Sequence, residues 1–343
     1  MMRTNEMTKS MLKAARTALC ALAATALASS CEHKELCYEH PHTATLTLQF
    51  DWRNAPNASP EGMCVFFYPL DDGGSVARYD FSGTEGGSLT VPTGRYRVIA
   101  YNNDTEAVLV SGADHFSTHM AYTREGSALE SVYGSTASYT PKAGATDERT
   151  VICPDMMWAA TATDVEIGED GVAYTCAPVQ DGAAETFTSG ERVITLYPAE
   201  IVCTYTYEIR HVENLKYVTQ MCGTLAGMAP SVLLGTEELG TECVTVPFSA
   251  SAEGDSTIVG QFYTFGHHED NADPHSLVLY AWFTTGAKYY YTFDVSTQVN
   301  TAPDRRHVHI IIDGLPLPEP IGGDSGFDVD VDGWQKVEED IVM

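Results

Sequence analysis

Apolar residues recur at every second position along most of this chain, and this period restricts the fold more than any other feature. The pattern is clearest in residues 42–52, where one face consists of Ala44, Leu46, Leu48, Phe50 and Trp52. The residues between them are mostly threonines and other polar types. Such alternation is typical of an antiparallel strand with one buried face and one face in water. The first strand is therefore predicted in residues 43–52.

Strand-like patterns also fill most of the remaining sequence. Residues 63–70 are apolar on both faces, which predicts a central strand. Further strands are predicted at residues 76–81, 88–91, 95–101, 106–110, 192–197, 201–209, 243–248, 257–265, 276–284, 288–295 and 307–313. Short helices are predicted at residues 128–133 and 212–222. Many short strands separated by Gly, Pro and Asp turns favour β-sandwiches over a fold of alternating strands and helices.

The length of the chain predicts more than one domain. With 343 residues, it exceeds what one ordinary hydrophobic core accommodates. Residues 124–150 are rich in small and hydroxylated types, and we place a domain boundary between residues 145 and 162. The fold class is predicted as all-β, with two tandem antiparallel β-sandwich domains at residues 43–155 and 156–343. The second domain is expected to end in a C-terminal strand within residues 327–343.

The first 30 residues have the pattern of a cleaved signal segment. Arg3, Lys9, Lys13 and Arg16 precede a short apolar run at residues 18–27, and small residues follow. Because the run is shorter than the roughly 20 residues that cross a bilayer, it predicts a signal rather than a membrane span. Cys31 follows directly and is predicted to carry a diacylglycerol, so that residues 31–42 tether the protein to a membrane. Ordinary cleavage near Ser30, with Cys31 as a spare thiol, is the alternative.

The charge of the mature chain excludes one class of partner. Without residues 1–30 it holds 15 basic and 46 acidic residues, a net charge of −31. Such a surface repels phosphate backbones, so nucleic acid is not expected as a partner. Seven cysteines remain besides Cys31. Several lie in strand-like runs, which favours packing as small apolar residues over a disulfide framework.

Five stretches of the sequence carry a family resemblance. They are residues 31–42, residues 50–63 with Phe50-Asp51-Trp52, residues 94–106 with Gly94-Arg95-Tyr96, residues 225–228 with Leu-Ala-Gly-Met, and residues 326–334. Together they resemble the fimbrillin-like lipoproteins of Bacteroides-type bacteria, a pilus-subunit superfamily, in a branch whose function is mostly unassigned. The resemblance implies two transthyretin-like sandwiches and a place at the outer membrane or in a pilus.

Assembly by strand exchange is a further implication of the resemblance. An open sheet edge with an apolar groove gains both ladder hydrogen bonds and apolar burial from a borrowed strand. In an acceptor subunit, residues 43–52 would leave, and Arg53 is a possible site for a trypsin-like protease. The alternative is that this strand stays in its sheet. Residues 327–343 are either a donor strand or a last strand folded back on its own domain.

The sequence offers several weak candidates for a metal site. Asp328, Asp330 and Asp332 match a calcium-loop pattern with Gly333 and Glu339. Because no helices flank them, alternation along a strand explains them better, and a weak surface calcium site is the remaining functional interpretation. The histidines near residues 33–42 and 267–275 are interpreted as a tether and a solvated turn, so no metal site is assigned.

No catalytic motif for hydrolysis, phosphate binding or dinucleotide binding is present. The chain is therefore not expected to be an enzyme, and no cofactor is assigned beyond the acyl lipid on Cys31. The leading hypothesis is a lipid-anchored surface protein of fimbrillin type that is a structural, adhesive or anchoring component of a pilus. The alternative is a glycan-binding surface lipoprotein, whose tyrosines and tryptophans would contact a glycan or another ligand on a host surface.

Overall fold

The computed structural model describes residues 42–71, 74–129, 148–168, 171–176, 185–189, 192–268, 274–319 and 334–337. The predicted signal segment, Cys31 and nearly all of the tether lie outside these residues. From Thr43 onward the chain forms one compact unit, Thr43–Met343. In chain order its strands are β1 (Thr43–Phe50), β2 (Gly62–Pro69), β3 (Ala77–Ser82), β4 (Gly86–Pro92), β5 (Gly94–Asn102), β6 (Val108–Ser111), β7 (Met120–Thr123), β8 (Arg149–Thr150), β9 (Trp158–Ile167), β10 (Val172–Cys176), β11 (Glu185–Ser189), β12 (Val193–Leu196), β13 (Ala199–Glu200), β14 (Cys203–Glu213), β15 (Val218–Met228), β16 (Ser231–Leu233), β17 (Val244–Ser249), β18 (Ser251–Glu253), β19 (Thr257–Thr264), β20 (Ser276–Phe283), β21 (Lys288–Asp294), β22 (His307–Pro316) and β23 (Trp334–Val337).

Helical elements in the described residues are short. A 3₁₀ turn, Trp52–Asn54, follows β1, and a second one, Leu215–Tyr217, separates β14 from β15. The α-helix α1 (Ser296–Asn300) follows β21. The predominance of strands confirms the predicted all-β class.

Two sheets enclose the first core, and we call this pair sandwich 1. Sheet A has the order β12-β1-β4, and sheet B has the order β11-β10-β9-β5-β2-β3, with β13 beside β9. Alternate side chains of both sheets meet between them, including Leu46 and Leu48 from β1 and Val65 and Phe67 from β2. The strand β2 is buried on both faces, as its apolar sequence predicted.

Sandwich 2 encloses the second core. Sheet D has the order β18-β19-β14-β22, and sheet E has the order β23-β21-β20-β15-β17-β8. The core contains Tyr207 and Ile209 from β14 and Leu277 and Leu279 from β20, all of them buried. Four pairings among the described strands are parallel, namely β1–β12, β8–β17, β14–β22 and β21–β23. The other pairings among the described strands are antiparallel, in agreement with the predicted antiparallel sandwiches.

A small third sheet, sheet C, has the order β16-β7-β6. It covers the face of sheet B that points away from the first core. Phe66 of β2 and Tyr101 of β5 pack there in one cluster with Val232 of β16 and with Phe265, which follows β19. Because this cluster takes residues from both halves of the sequence, it joins the two sandwiches.

The structure corrects two predictions about organisation. Residues 158–200 lie in sandwich 1, because β9 pairs with β5 and β12 pairs with β1. The chain thus contributes β8 to sandwich 2, returns to sandwich 1 with residues 158–200, and continues in sandwich 2 from near residue 201, so one boundary at residue 155 does not separate the sandwiches. The helix predicted at residues 212–222 is instead the end of β14, a 3₁₀ turn and the start of β15. The apolar spacing of residues 212–222 is compatible with a helix and with a strand. The strand conformation is stabilised here by pairing with β20 and β22.

Candidate strand-exchange site

The first strand, β1, lies in the middle of sheet A although it comes first in the compact unit. It pairs along Thr43–Gln49 with β4 in antiparallel register and along Thr47–Phe50 with β12 in parallel register. Its alternating sequence places Ala44, Leu46, Leu48 and Phe50 in the first core, as predicted. The strand is thus bonded on both sides and buried on one face.

Losing β1 would be costly. Full burial of a Leu or Phe side chain contributes about 1.5–3 kcal/mol, and a whole domain is stable by only about 5–15 kcal/mol. The apolar face of β1 therefore accounts for a large share of the stability of sandwich 1. Sheet A stays folded without β1 only when another strand with the same alternation takes its place.

A glycine fixes how closely β4 approaches β1. Gly86 has a φ of +87°, and a Cβ atom there would lie 2.2 Å from the carbonyl oxygen of Leu48. Only glycine combines this backbone conformation with such a close approach. Any strand in the position of β1 is therefore in close backbone contact with the start of β4 and has no room to move toward it.

Arg53, the predicted protease site, lies in the 3₁₀ turn that follows β1. Its backbone N–H donates to Oδ1 of Asp51 at 3.1 Å, and its guanidinium forms an ion pair with the same carboxylate. This pairing holds the pKa of Asp51 below its ordinary value. The guanidinium carbon also lies 4.8 Å from the centre of the Tyr197 ring, so Arg53 is accessible but held in a turn.

The described part of the C-terminal segment folds back on its own sandwich. β23 pairs in parallel with β21, from Trp334 opposite Lys288 to Val337 opposite Tyr291. The ring of Trp334 packs edge-on against Tyr280 at 5.3 Å and Trp282 at 4.8 Å between centroids. Asp328, Asp330 and Asp332, the predicted weak calcium site, lie outside the described residues.

The aromatic residues considered for glycan stacking are mostly covered. Tyr280, Trp282 and Tyr291 are buried, and Ala128, Leu129 and Trp334 pack over the outer face of sheet E. Stacking on a sugar requires an exposed ring face. These three rings therefore act as core, whereas Tyr289 and Tyr290 are half-buried.

Sequence reasoning missed a buried histidine between sheets B and C. His119 is 0% exposed, and its ring nitrogens face the hydroxyls of Tyr68 and Tyr101, with Nε2 3.3 Å from the latter. Burial, with a smaller contribution from Arg78, lowers the pKa of His119 to about 4. Nothing local in the sequence identifies it, because the tyrosines come from β2 and β5.

Two of the histidines in the segment near residue 267 are also buried, although this segment was predicted to be a solvated turn. His267 and His275 are buried, and the hydroxyl of Tyr205 lies 2.7 Å from Nδ1 of His267. Burial is the main cause that lowers the pKa of His267, to about 4. Within the described ranges, no group of three or more His, Cys, Asp or Glu residues is arranged to hold a metal ion.

The cysteines that lie in strands pack as apolar residues. Cys64, Cys176, Cys203 and Cys222 are buried, and burial raises the pKa of the Cys64 and Cys203 thiols to about 11. Among the residues that the structure describes, no helix has the length and apolar character needed to span a membrane.

These features define a class of protein: tandem β-sandwiches in which the first strand of the compact unit is central in its sheet. The chain belongs to the family described as a domain of unknown function, DUF5119, whose sequence profile matches residues 30–249. The match covers sandwich 1, sheet C and the first strands of sandwich 2.

Individual relatives come from the same group of bacteria. Over 103 residues the chain is 32% identical to Fim4B of Bacteroides ovatus, which is provisionally named a fimbrium anchoring subunit, and the match spans 30% of each protein. The crystal structure of a provisionally named adhesin from Bacteroides ovatus aligns with a TM-score of 0.58 at 19% identity, covering 86% of this chain and 99% of that one.

A third relative is the fimbrial anchor protein Mfa2 of Porphyromonas gingivalis. It aligns with a TM-score of 0.45 at 16% identity, covering 80% of this chain and 90% of that one. The family match and the alignment with Fim4B confirm the resemblance to fimbrillin-like proteins that the sequence predicted. The alignment with the adhesin structure shows that this chain and that protein share a fold.

Proposed function

We propose that this protein is a pilus-associated surface subunit of the anchoring type, held to the outer membrane by a lipid on Cys31, and that it keeps β1. The observation that carries the proposal is the position of β1. The strand is central in sheet A, yet it is the first strand after the segment that bears Cys31. A lipid on that segment would therefore connect directly to the core of sandwich 1.

The environment of Arg53 supports retention of β1. Trypsin-like proteases bind their substrates in an extended conformation, and Arg53 lies in a 3₁₀ turn closed by Asp51. Cutting there requires local unfolding at the end of a strand that holds much of the first core. A shaft subunit would need this cut, whereas an anchoring subunit would not, and the relative Fim4B is named for anchoring.

Assembly with other subunits then depends on strand pairing outside sheet A. The C-terminal residues 327–343 are the proposed donor segment, and donation would require residues 334–337 to leave their pairing with β21. In this proposal the protein is structural, and catalysis has no part in it.

The first experiment tests the anchor and the retained strand together in the native host. Cys31→Ala is expected to leave both sandwiches folded and to move the protein from the membrane fraction to the soluble fraction. The intact mass of the wild-type protein from membranes should correspond to a chain that begins at Cys31 and carries acyl chains. Membrane retention of Cys31→Ala would contradict the anchor, and a mature chain that begins at Asn54 would contradict retention of β1.

The second experiment tests the Arg53 turn on the purified protein. Limited trypsin digestion should leave the bond after Arg53 intact in the wild type, whereas Asp51→Ala should be cut there at least tenfold faster. Arg305 lies in an irregular segment before β22 and serves as an internal cleavage control. Equal cutting of the wild type and Asp51→Ala after Arg53 would contradict the protective role of the turn.

A further inference from the structure

The outer strands of sheets A and D could pair with a strand of another molecule, which β-proteins commonly prevent with charged residues or proline. An edge strand presents unpaired N–H and C=O groups on which another chain can add a strand. The outer strand β12 is especially exposed to this risk, because its sequence is Val-Ile-Thr-Leu without charge, proline or glycine. Yet the structure gives the outward backbone groups of these strands partners from side chains of the same molecule.

On β12 the partners come from β10. The carbonyls of Arg192 and Leu196 accept from β1 and the residue after it, at 2.9 and 2.8 Å, so Thr195 points its backbone groups outward. The N–H of Thr195 donates to the Tyr174 hydroxyl at 2.9 Å, and the Cys176 thiol donates to its carbonyl at 3.4 Å. Both outward groups of this residue are therefore occupied.

On β4, the opposite side of sheet A, the partner comes from β3. The hydroxyl of Tyr79 donates to the carbonyl of Thr90 at 2.6 Å. At the end of the same strand, the hydroxyl of Tyr96 donates to the carbonyl of Pro92 at 2.8 Å. Side chains of sheet B thus pair with backbone groups on both outer strands of sheet A.

On β22 of sheet D, one side-chain amide pairs with both the N–H and the carbonyl of an outward-facing residue, Ile311. The carbonyl of Arg306 accepts from Thr204 of β14 at 2.7 Å, so the odd-numbered residues that follow point outward. The N–H of Ile311 donates to Oε1 of Gln298 at 2.8 Å, and Nε2 of Gln298 donates to its carbonyl at 2.8 Å. Gln298 belongs to α1, and its side chain replaces the peptide group of a neighbouring strand.

We propose that Tyr79, Tyr174, Cys176 and Gln298 are edge-blocking residues, which prevent a second copy of this chain from adding strands sideways to β4, β12 and β22. A partner strand must then pair elsewhere in the molecule or replace a strand. The inference is independent of the proposed anchoring role, since it concerns only the backbone groups of β4, β12 and β22.

The test combines hydrogen exchange with sedimentation velocity on the full mature chain. Gln298→Ala changes a half-buried residue and is expected to raise the exchange rate of the Ile311 amide at least tenfold. Tyr174→Phe should do the same for the Thr195 amide. A variant combining Tyr79→Phe, Tyr174→Phe, Cys176→Val and Gln298→Ala should self-associate at least tenfold more tightly than the wild type.

Matched controls remove the same chemical groups away from the edges. Tyr217→Phe removes a hydroxyl that contacts Glu319, and Gln261→Ala removes an amide that contacts Tyr263 on the face of sheet D. Both should behave like the wild type. Unchanged exchange at Ile311 and Thr195 in the folded single variants would overturn the proposal, as would equal self-association of the combined variant and the controls.

Discussion

Sandwich 1 and sandwich 2 repeat one arrangement of strands with one difference in how the chain enters it. In sheets A and D, the strand that comes first in sequence is central and pairs in parallel with the strand of that sheet that comes last, β1 with β12 and β14 with β22. In each it also pairs in antiparallel register with one further strand, β4 or β19. The difference is that β14 continues from β13 within the same compact unit, whereas β1 begins that unit.

The repeat extends to individual backbone bonds. The N–H of Thr47 in β1 donates to the carbonyl of Arg192, and the N–H of Thr204 in β14 donates to the carbonyl of Arg306. The same arrangement thus fixes both first strands. In sequence, β14 has the rest of the compact unit on both sides of it, whereas β1 has that unit on one side only.

The largest predicted effect comes from truncating matched core residues of the two first strands. Leu48→Ala in β1 and Ile209→Ala in β14 each remove a side chain that is 0% exposed, and each should lower the free energy of unfolding by about 2–5 kcal/mol. Because the cluster around Phe66 and Phe265 joins the sandwiches, both variants should shift one common transition in urea.

Thr45→Ala, on the exposed face of β1, is the control and should change the free energy of unfolding by less than about 0.5 kcal/mol. Two separate transitions, each moved by only one of the core variants, would show that the sandwiches unfold independently.

A change of pH is expected to have an intermediate effect on the free energy of unfolding, through the titration of one buried histidine in each half. The pKa values of His119 and His267 are lowered to about 4 in the folded protein, whereas an unfolded histidine titrates near 6.5. Between these values the unfolded state binds more protons, so stability is fully present above about pH 6.5 and falls as the pH drops toward 4.

His119→Gln should reduce the slope of unfolding free energy against pH in this window by about one proton, and His267→Gln should do the same. The exposed His211 provides the control, as His211→Gln. An unchanged slope in the His119 variant would show that its ring is not held neutral between Tyr68 and Tyr101.

The smallest effect is expected from surface ion pairs, again one in each half. Arg78 pairs with Asp80 on β3, and Arg149 pairs with Glu242 near the start of β17, with side chains about half exposed. Such pairs contribute about 0–1 kcal/mol and weaken in salt. Arg78→Gln should have the larger effect, since its guanidinium also lies 5.5 Å from the Phe66 ring centre. Chemical denaturation at low and high salt measures both, and an equal or reversed order would contradict that assignment.

The sequence predicted local features well and spatial order poorly. Alternation located β1 and most strands of sandwich 2, because burial on one face leaves a direct record in residue order, and a continuous apolar run located β2. The return of residues 158–200 to sandwich 1 had no such record, since pairing of β9 with β5 depends on contacts between distant segments. Short strands such as β13 and β16 carry too few residues to show a period.

The residues of the candidate site likewise differ in whether the sequence alone reveals them. The apolar face of β1 and the arginine after it are visible in the sequence. The edge-blocking residues are not, because Tyr174 and Gln298 act on β12 and β22 through bonds that no local pattern encodes. A glutamine in a polar helix is indistinguishable by sequence from one that simply faces water.

The central position of β1 also has a mechanical consequence. A pull on the segment before Thr43, directed along the strand, acts on the hydrogen bonds to β4 and β12 in shear, because these bonds lie across the direction of force. They resist together, whereas a strand peeled from a sheet edge loses its bonds one after another. How long the protein withstands load is then set by the rate at which β1 slides out, which is a kinetic property separate from equilibrium stability.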